Sequence, residues 1–501
     1  MIALSTAALA VSIPALVYWL LWRFRYRRML RLAASVPGPP ALPVLGNALM
    51  FLTNTTEQLQ KITNLFDVYG EYIRLWLGPE LTIAVKNAAD IRLLLSSNKI
   101  NQKGPLYETL KPFIGPGILS GGPTWRPHRK VVTPSYNKKS VQQFSRIFNI
   151  EAELLVRGLR TKGPDTYDIF YDVLNCTTQC VCQTLMGLSK EESIQIPQLN
   201  EIVLKTQGMY NMIFKKMIHW WLQIPFIYWL TGHKKLEDYY SNLIDRLTGY
   251  ILEKRRTALK VEGAVEEDLK SVVDRLIESG ELSDREIKYE MFTLFTTSQE
   301  AAAKIASGVL MMLAHLPDWQ KKVYDEIQTV VGMSAVTEGH LKELLYLDMV
   351  YKETLRYFSI AAFIQRTVQE EITINDGKIT LPVGTSLIIP IHSLHRDPKH
   401  WEEPLKAKPE RFLLENVKKR DPNAFIPFSL GPMDCLGRVF ATAMIKTIVV
   451  HVIRNMHLEA DGVMDDIPLE VAISVRSANG YLVRSKLRKQ NGVKVNGVGH
   501  K

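Results

Sequence analysis

The chain has 501 residues, 46% of them hydrophobic and 23% charged, with a formal net charge of +11. That length and apolar share suffice for one large core or two moderate ones, and they exclude collagen-like, coiled-coil and wholly disordered classes. The basic excess suits nucleic acid, anionic lipid or an acidic protein surface; no nucleic-acid motif is present, and five arginines between Arg23 and Arg31, beside an apolar segment, point to lipid.

Residues 2–22 carry no charge and are apolar over a length that spans a bilayer. The arginines follow this segment rather than precede it, so it reads as one N-terminal transmembrane signal-anchor that keeps the downstream chain cytoplasmic. Pro37-Gly38-Pro39-Pro40 then denies helix continuation. The expected organisation is an anchor over 1–22, a basic and Pro-rich linker over 23–46, a globular domain over 47–485 and a disordered basic tail over 486–501. Helical periodicity is clearest over Val141–Gly158, Glu237–Lys260 and from Ser283 towards Pro317. Ser283 and Glu286 form a capping box, and a helix from there to Pro317 is roughly 50 Å long. Strands are expected at Tyr72–Leu77, Leu81–Val85, Glu371–Ile374, Thr385–Pro390 and near Tyr481–Arg484. The fold class is mainly α with small β-sheets. The apolar stretch Met209–Leu230, with Trp220, Trp221, Phe226 and Trp229, suits either a core helix or a segment dipping into lipid.

Four cysteines, Cys176, Cys180, Cys182 and Cys435, show no disulfide framework. The first three read as buried thiols on a helix. Cys435 stands alone in Pro427-Phe428-Ser429-Leu430-Gly431-Pro432-Met433-Asp434-Cys435-Leu436-Gly437. Glycines at −4 and +2 allow a tight loop that bares a sulfur and adjacent N–H groups, which stabilise a thiolate; a buried cysteine in a Gly-containing turn has the same local signature. Glu353 and Arg356 share one helix face, as surface pairs commonly do. Trp125 and Arg129, four apart, can converge on one carboxylate.

Together these segments resemble the cytochrome P-450 superfamily, whose haem loop is F-x-x-G-x-R-x-C-x-G. Phe428, Gly431, Cys435 and Gly437 match it; Met433 replaces the arginine. Glu353-Thr354-Leu355-Arg356 followed by Pro409-Glu410-Arg411-Phe412 keeps the superfamily's order and spacing, and Trp125-Arg126-Pro127-His128-Arg129 matches its W-x-x-x-R helix. His395-Arg396-Asp397-Pro398 is most similar to the family-4 clan, which includes fatty-acid ω-hydroxylases and many insect enzymes.

The resemblance implies the cytochrome P-450 fold and haem b, with Cys435 as axial ligand of the iron. It assigns Trp125, Arg129 and Arg366 to the haem propionates, and a buried scaffold network to Glu353, Arg356 and Arg411. It further implies a monooxygenase acting on a small apolar substrate, anchored by one pass in the endoplasmic reticulum membrane. Electrons would come from NADPH through a flavoprotein reductase docking near Lys130, Lys138 and Lys139, with cytochrome b5 as an optional second partner.

Relatives carry A-G-x-[DE]-T over the haem, which aligns with Thr297-Ser298-Gln299-Glu300-Ala301. The acid is kept as Glu300 and the small residue as Ser298, where close approach or a local helix distortion makes room for oxygen. The threonine is Ala301, and its hydroxyl's share in proton delivery, a role worth ~10²–10⁴-fold, is missing. Met444 also stands where glutamate is usual. These departures keep open a haem-thiolate isomerase or dehydratase acting on a peroxide, and a haem protein that binds a lipid or odorant without turnover.

Overall fold

The computed structural model describes residues 13, 17–43, 45–197, 199–262 and 267–488. The expected anchor therefore lies largely outside the described residues, and among these no helix is long and apolar enough to cross a membrane. The expected linker is not all linker. Residues 17–25 are helical, and helix α1, Arg27–Ala33, follows a single turn residue. Arginine, leucine and alanine are strong helix formers, and the helix-breaking prolines begin only at Pro37. This segment is docked: Trp22 meets Trp76 edge-on at 5.2 Å, Arg28 grips Glu371 through two N–H donors, and Ala33 is buried.

The domain is mainly helical. The elements that build the site are α2, Trp125–Val132; α3, Lys138–Leu159; α4, Phe170–Thr184; α5, Leu199–Ile218; α6, His233–Glu262; α7, Asp284–His315; α8, Leu345–Phe358; and α9, Arg438–Asn455. Helix α7 is the axis. The Ser283–Glu286 capping box starts it, and Pro317 does more than stop it, because it opens the next helix, Pro317–Val330. Proline suits that first position, since the N–H it lacks would have no partner there. Apolar almost all round, α7 is packed by α4, α8 and α9 and buried along most of its length. Cys176, Cys180 and Cys182 belong to that packing, on α4.

A five-stranded sheet flanks the helices. Its order is Tyr72–Leu77, Glu80–Val85, Ser386–Ile389, Ile364–Thr367, Gln102–Lys103, antiparallel except between the second and third. A hairpin, Leu469–Val471 with Val475–Ser477, turns through Ala472–Ser474. Residues 486 and 487, expected as the start of the tail, belong to a strand: Leu482–Leu487 pairs with Met456–Glu459, and Lys486 adds an ion pair to Glu459. Residues 489–501 lie outside the described residues.

Candidate active site

The loop before α9 has the backbone its glycines require. Gly431 has φ +77°, and a Cβ there would lie 2.0 Å from the Leu95 carbonyl oxygen. Ser429 also takes a left-handed φ of 64°. Cys435 N–H donates to Phe428 O at 2.9 Å and closes the loop. His395, held neutral by burial and by Arg356, accepts the Ile426 N–H through Nε2 at 3.0 Å, which fixes the loop's approach. Cys435 is an exposed residue although protein crowds its thiol, which leaves it able to meet a ligand in the space beside the loop. Burial pushes the thiol up, while the Gly437 N–H and the Arg129 and Arg438 cations oppose the rise. Met433 is buried.

Cations gather at one edge of this space. The sheet register sets Lys103 directly opposite Arg366, a like-charge pairing that costs stability. Neither has a carboxylate in salt-bridge range among the described residues; Lys103 lies 4.8 Å over the Tyr107 ring, and Arg366 donates to the Gln365 carbonyl. Burial and the nearby Arg366 and Arg129 charges push the Lys103 ammonium well below its ordinary range. Arg129 stands beside the Trp125 ring, but its guanidinium is taken by Asp434, at 2.8 Å to the carbonyl and 2.7 Å to the carboxylate. An exposed cysteine with two cations nearby that lack a carboxylate partner, the buried Arg366 and the half-buried Lys103, fits a flat, doubly anionic metal chelate such as haem.

The opposite wall is the middle of α7. Between Ile287 and Ala314 the helix is buried except at Lys288, Tyr289, Thr297, Ser298 and Ala301, and the last three are more than two turns from its exposed start. Tyr136 links this face to the Cys435 loop, since its phenol lies among groups that include Ser298 and the Cys435 thiol. The helix stays α-helical past Ser298, which gives room by its size and not by a distortion. Thr297 Oγ1 donates back to Thr293 O at 2.7 Å and is spent locally. Glu300 lies to the side, ion-paired with Lys304 at 2.7 Å. Apolar side chains from α5 (Phe214, Met217), the chain after α8 (Ala362, Phe363) and the hairpin turn (Ala472, Ile473) form one cluster.

Glu353 and Arg356 are fully buried and share two 2.7 Å hydrogen bonds. Arg356 also donates to the carbonyls of His395, Pro404 and Lys406, and Arg411 Nε approaches Glu353 at 3.5 Å. The structure thus brings these three residues together, and through His395 they reach the start of the Cys435 loop at Ile426. Met444 is buried in the main core. Lys130, Lys138 and Lys139 are exposed, and Lys138 pairs with Glu338. Two functional candidates escaped the sequence reading: Lys103, on a two-residue strand with no periodicity to reveal it, and Lys304, the one charged residue between Glu300 and His315. The second was visible as an E-x-x-x-K pair inside an apolar run.

The chain matches the cytochrome P450 family model over residues 36–483. Among curated proteins it is 30% identical to human cytochrome P450 4V2, covering 97% of this chain and 96% of the relative. It is 30% identical to Drosophila simulans cytochrome P450 4d1, covering 90% and 93%, and 28% identical to Drosophila melanogaster cytochrome P450 4c3, covering 94% and 92%. Family match and relatives span nearly the whole domain, and the chain therefore belongs to the cytochrome P450 family of haem-thiolate monooxygenases.

Proposed function

We propose that this chain inserts one oxygen atom of dioxygen into an apolar substrate, fatty-acid-like, terpenoid or xenobiotic. Cys435 serves as thiolate ligand of haem b, and NADPH supplies electrons through a flavoprotein reductase, with cytochrome b5 as an accessory donor. The observation that carries the reading is the exposed Cys435 set near the Arg129, Arg366 and Lys103 cations and, through Tyr136, near Ser298 on the one exposed stretch in the middle of α7. When bound, haem supplies the iron that activates dioxygen, and a thiolate ligand favours O–O cleavage.

The chain's own residues then have separable tasks. Gly437 N–H and the nearby arginines favour the Cys435 thiolate. Arg366, Lys103 and Trp125 would hold the propionates, which relieves the like-charge pairing at the sheet edge, and Arg129 would join them by giving up part of its grip on Asp434. Phe428, Gly431 and Gly437 shape the loop, and the Glu353–Arg356–Arg411 network keeps it in place. Phe214, Met217, Phe363 and Ile473 exclude water around an apolar substrate. Ala301 leaves room for a water where relatives carry a hydroxyl, and Glu300 orients the polar side of that space. The segment 220–230 supports membrane contact: Phe226, Trp229 and Leu230 are each about two-thirds exposed, an apolar patch of interface-type residues. Together with the apolar N-terminal segment it favours a single-pass protein of the endoplasmic reticulum with a cytoplasmic domain.

Ala301 followed by Ala302 and Ala303 favours a second reading, rearrangement or dehydration of a peroxide, which needs neither oxygen protonation nor reductase. Reconstitution with reductase and a panel of apolar substrates separates the two. NADPH-dependent hydroxylated product supports the first, and turnover of a lipid hydroperoxide without NADPH replaces it with the second. A ligand-induced spectral shift with no product in either assay overturns both.

A further inference from the structure

Lys304 is 2% exposed in mid-helix, an expensive place for a cation unless its charge is used. It follows Thr297 by seven residues and Ala301 by three. At 3.6 residues per turn its side chain leaves the helix within about 20° of Thr297 and about 60° of Ala301. It leans back over the turn before it and so borders the open face of α7. Its ammonium is fixed by two groups: Glu300 Oε1 at 2.7 Å and Ser474 Oγ, in the hairpin turn, at 2.5 Å.

The same ion pair borders a second space. A cavity of about 210 Å³ on the other flank of α7 is lined by Gln299, Glu300, Lys304, Thr206 and Arg476, and it reaches the surface beside the exposed Tyr171 and Leu204. Glu300 and Lys304 therefore line an outer, solvent-connected cavity, and by helix position they lie next to the Thr297–Ala301 face of α7. Other titratable groups facing the pair are Tyr210 from α5, Arg476 from the hairpin, and Asp168 and Tyr481 beside the strand Leu482–Leu487.

We propose that Lys304 is the proton donor to the inner space of this site, standing in for the hydroxyl that Ala301 lacks. The Lys304 ammonium gives a proton to water beside Ala301 as that water passes one of its own onward into the inner space. The Glu300 carboxylate then takes a proton from hydronium in the outer cavity and hands it to the amine, which restores the ammonium–carboxylate pair. The relay moves protons only and leaves the pair as it began. It rests on the haem-thiolate reading and specifies how that site is supplied.

The test uses the full-length holoprotein and the variants Lys304→Met, Glu300→Gln and the double variant, each first checked by its reduced carbon-monoxide spectrum. A parent without a thiolate-type band overturns the underlying haem-thiolate reading, a failure distinct from those below. With the band present, ferric protein is titrated with cyanide and, separately, with neutral imidazole. A cation facing the inner space favours the anion, so Lys304→Met weakens cyanide binding about fivefold or more while imidazole is unaffected, and Glu300→Gln tightens cyanide binding. Equal effects on both ligands, or none, overturn the proposal. In turnover, Lys304→Met diverts electrons from product to hydrogen peroxide, with product yield per NADPH falling about tenfold or more. The double variant removes both buried charges and carries the test if Lys304→Met fails to load haem. It keeps the low yield if Lys304 donates protons; a yield restored to the parent's value shows that Lys304 only neutralises Glu300, and the proposal falls.

Discussion

Replacing Arg356 with methionine is the sharpest perturbation of the scaffold that reaches the Cys435 loop through His395. The change deletes two 2.7 Å bonds to Glu353 and donors to three backbone carbonyls, at 2.7–3.0 Å. Glu353 would keep only the Lys408 N–H at 2.8 Å and Arg411 at 3.5 Å. An uncompensated buried charge costs about 3–5 kcal/mol, and each orphaned carbonyl adds about 1–3 kcal/mol. The Lys406 carbonyl retains a donor in Arg411, so two carbonyls count fully. The loss is then at least about 5 kcal/mol, comparable with the whole stability of a typical domain. Arg356→Met should consequently purify with little haem and unfold at a much lower urea concentration. Glu353→Leu with Arg356→Met removes the stranded carboxylate and should recover the larger part of the loss. As control, Lys321→Met breaks the exposed Lys321–Asp325 pair and should cost less than about 0.5 kcal/mol. An Arg356→Met protein with normal haem content, within about 1 kcal/mol of the parent, would refute the reasoning.

Other outcomes follow from particular contacts. Gly431→Ala forces a Cβ onto the Leu95 carbonyl at a left-handed φ, so haem content should collapse; a normally loaded variant would show that the loop can relax. Ala301→Thr should raise the fraction of NADPH electrons recovered in product, and an unchanged fraction would show that no hydroxyl is needed there. Burial and then Arg454 lower the pKa of His451 to about 3. The unfolded chain therefore binds a proton that the folded chain refuses, and stability should fall as pH drops from about 6.5 towards 3. The buried His392 and His395 add to that slope; His451→Gln should flatten it in urea titrations, and an identical slope would contradict the assignment. Removing residues 2–16 should release protein from membranes without loss of haem. Removal through Arg28 should also destabilise the domain, because Trp22 and Arg28 are docked on it; equal stability of the two truncations would show that docking to be incidental.

The long central helix was legible because its two ends carry local chemistry, a capping box at Ser283 and a proline at 317, and because Lys304 is the one charge between Ala301 and Ala314. The strands Tyr72–Leu77 and Glu80–Val85, expected at Tyr72–Leu77 and Leu81–Val85, were legible from their β-branched and aromatic residues on either side of Gly78-Pro79. Ile364–Thr367 was not, since burial on both faces erases the period of two. The hairpin around Ala472 was missed for a similar reason: three-residue strands are too short to show any period. The helix Arg27–Ala33 was hidden by its charges, which read as linker until the packing of Trp22 and Ala33 on the domain is seen. At the site, motif residues with fixed local spacing were readable: Cys435 with its glycines, and Glu353 with Arg356. Lys103 and the Asp434 grip on Arg129 were not, because sheet register and loop packing create them from residues far apart in sequence.

The most direct test of the central claim is the reduced carbon-monoxide difference spectrum of the full-length protein beside Cys435→Ser. The parent should show a thiolate-type long-wavelength band and the variant should lose it, since Cys176, Cys180 and Cys182 are buried on α4 and Cys435 alone is exposed. A histidine-type band in the parent, or a thiolate-type band that survives in Cys435→Ser, would contradict it.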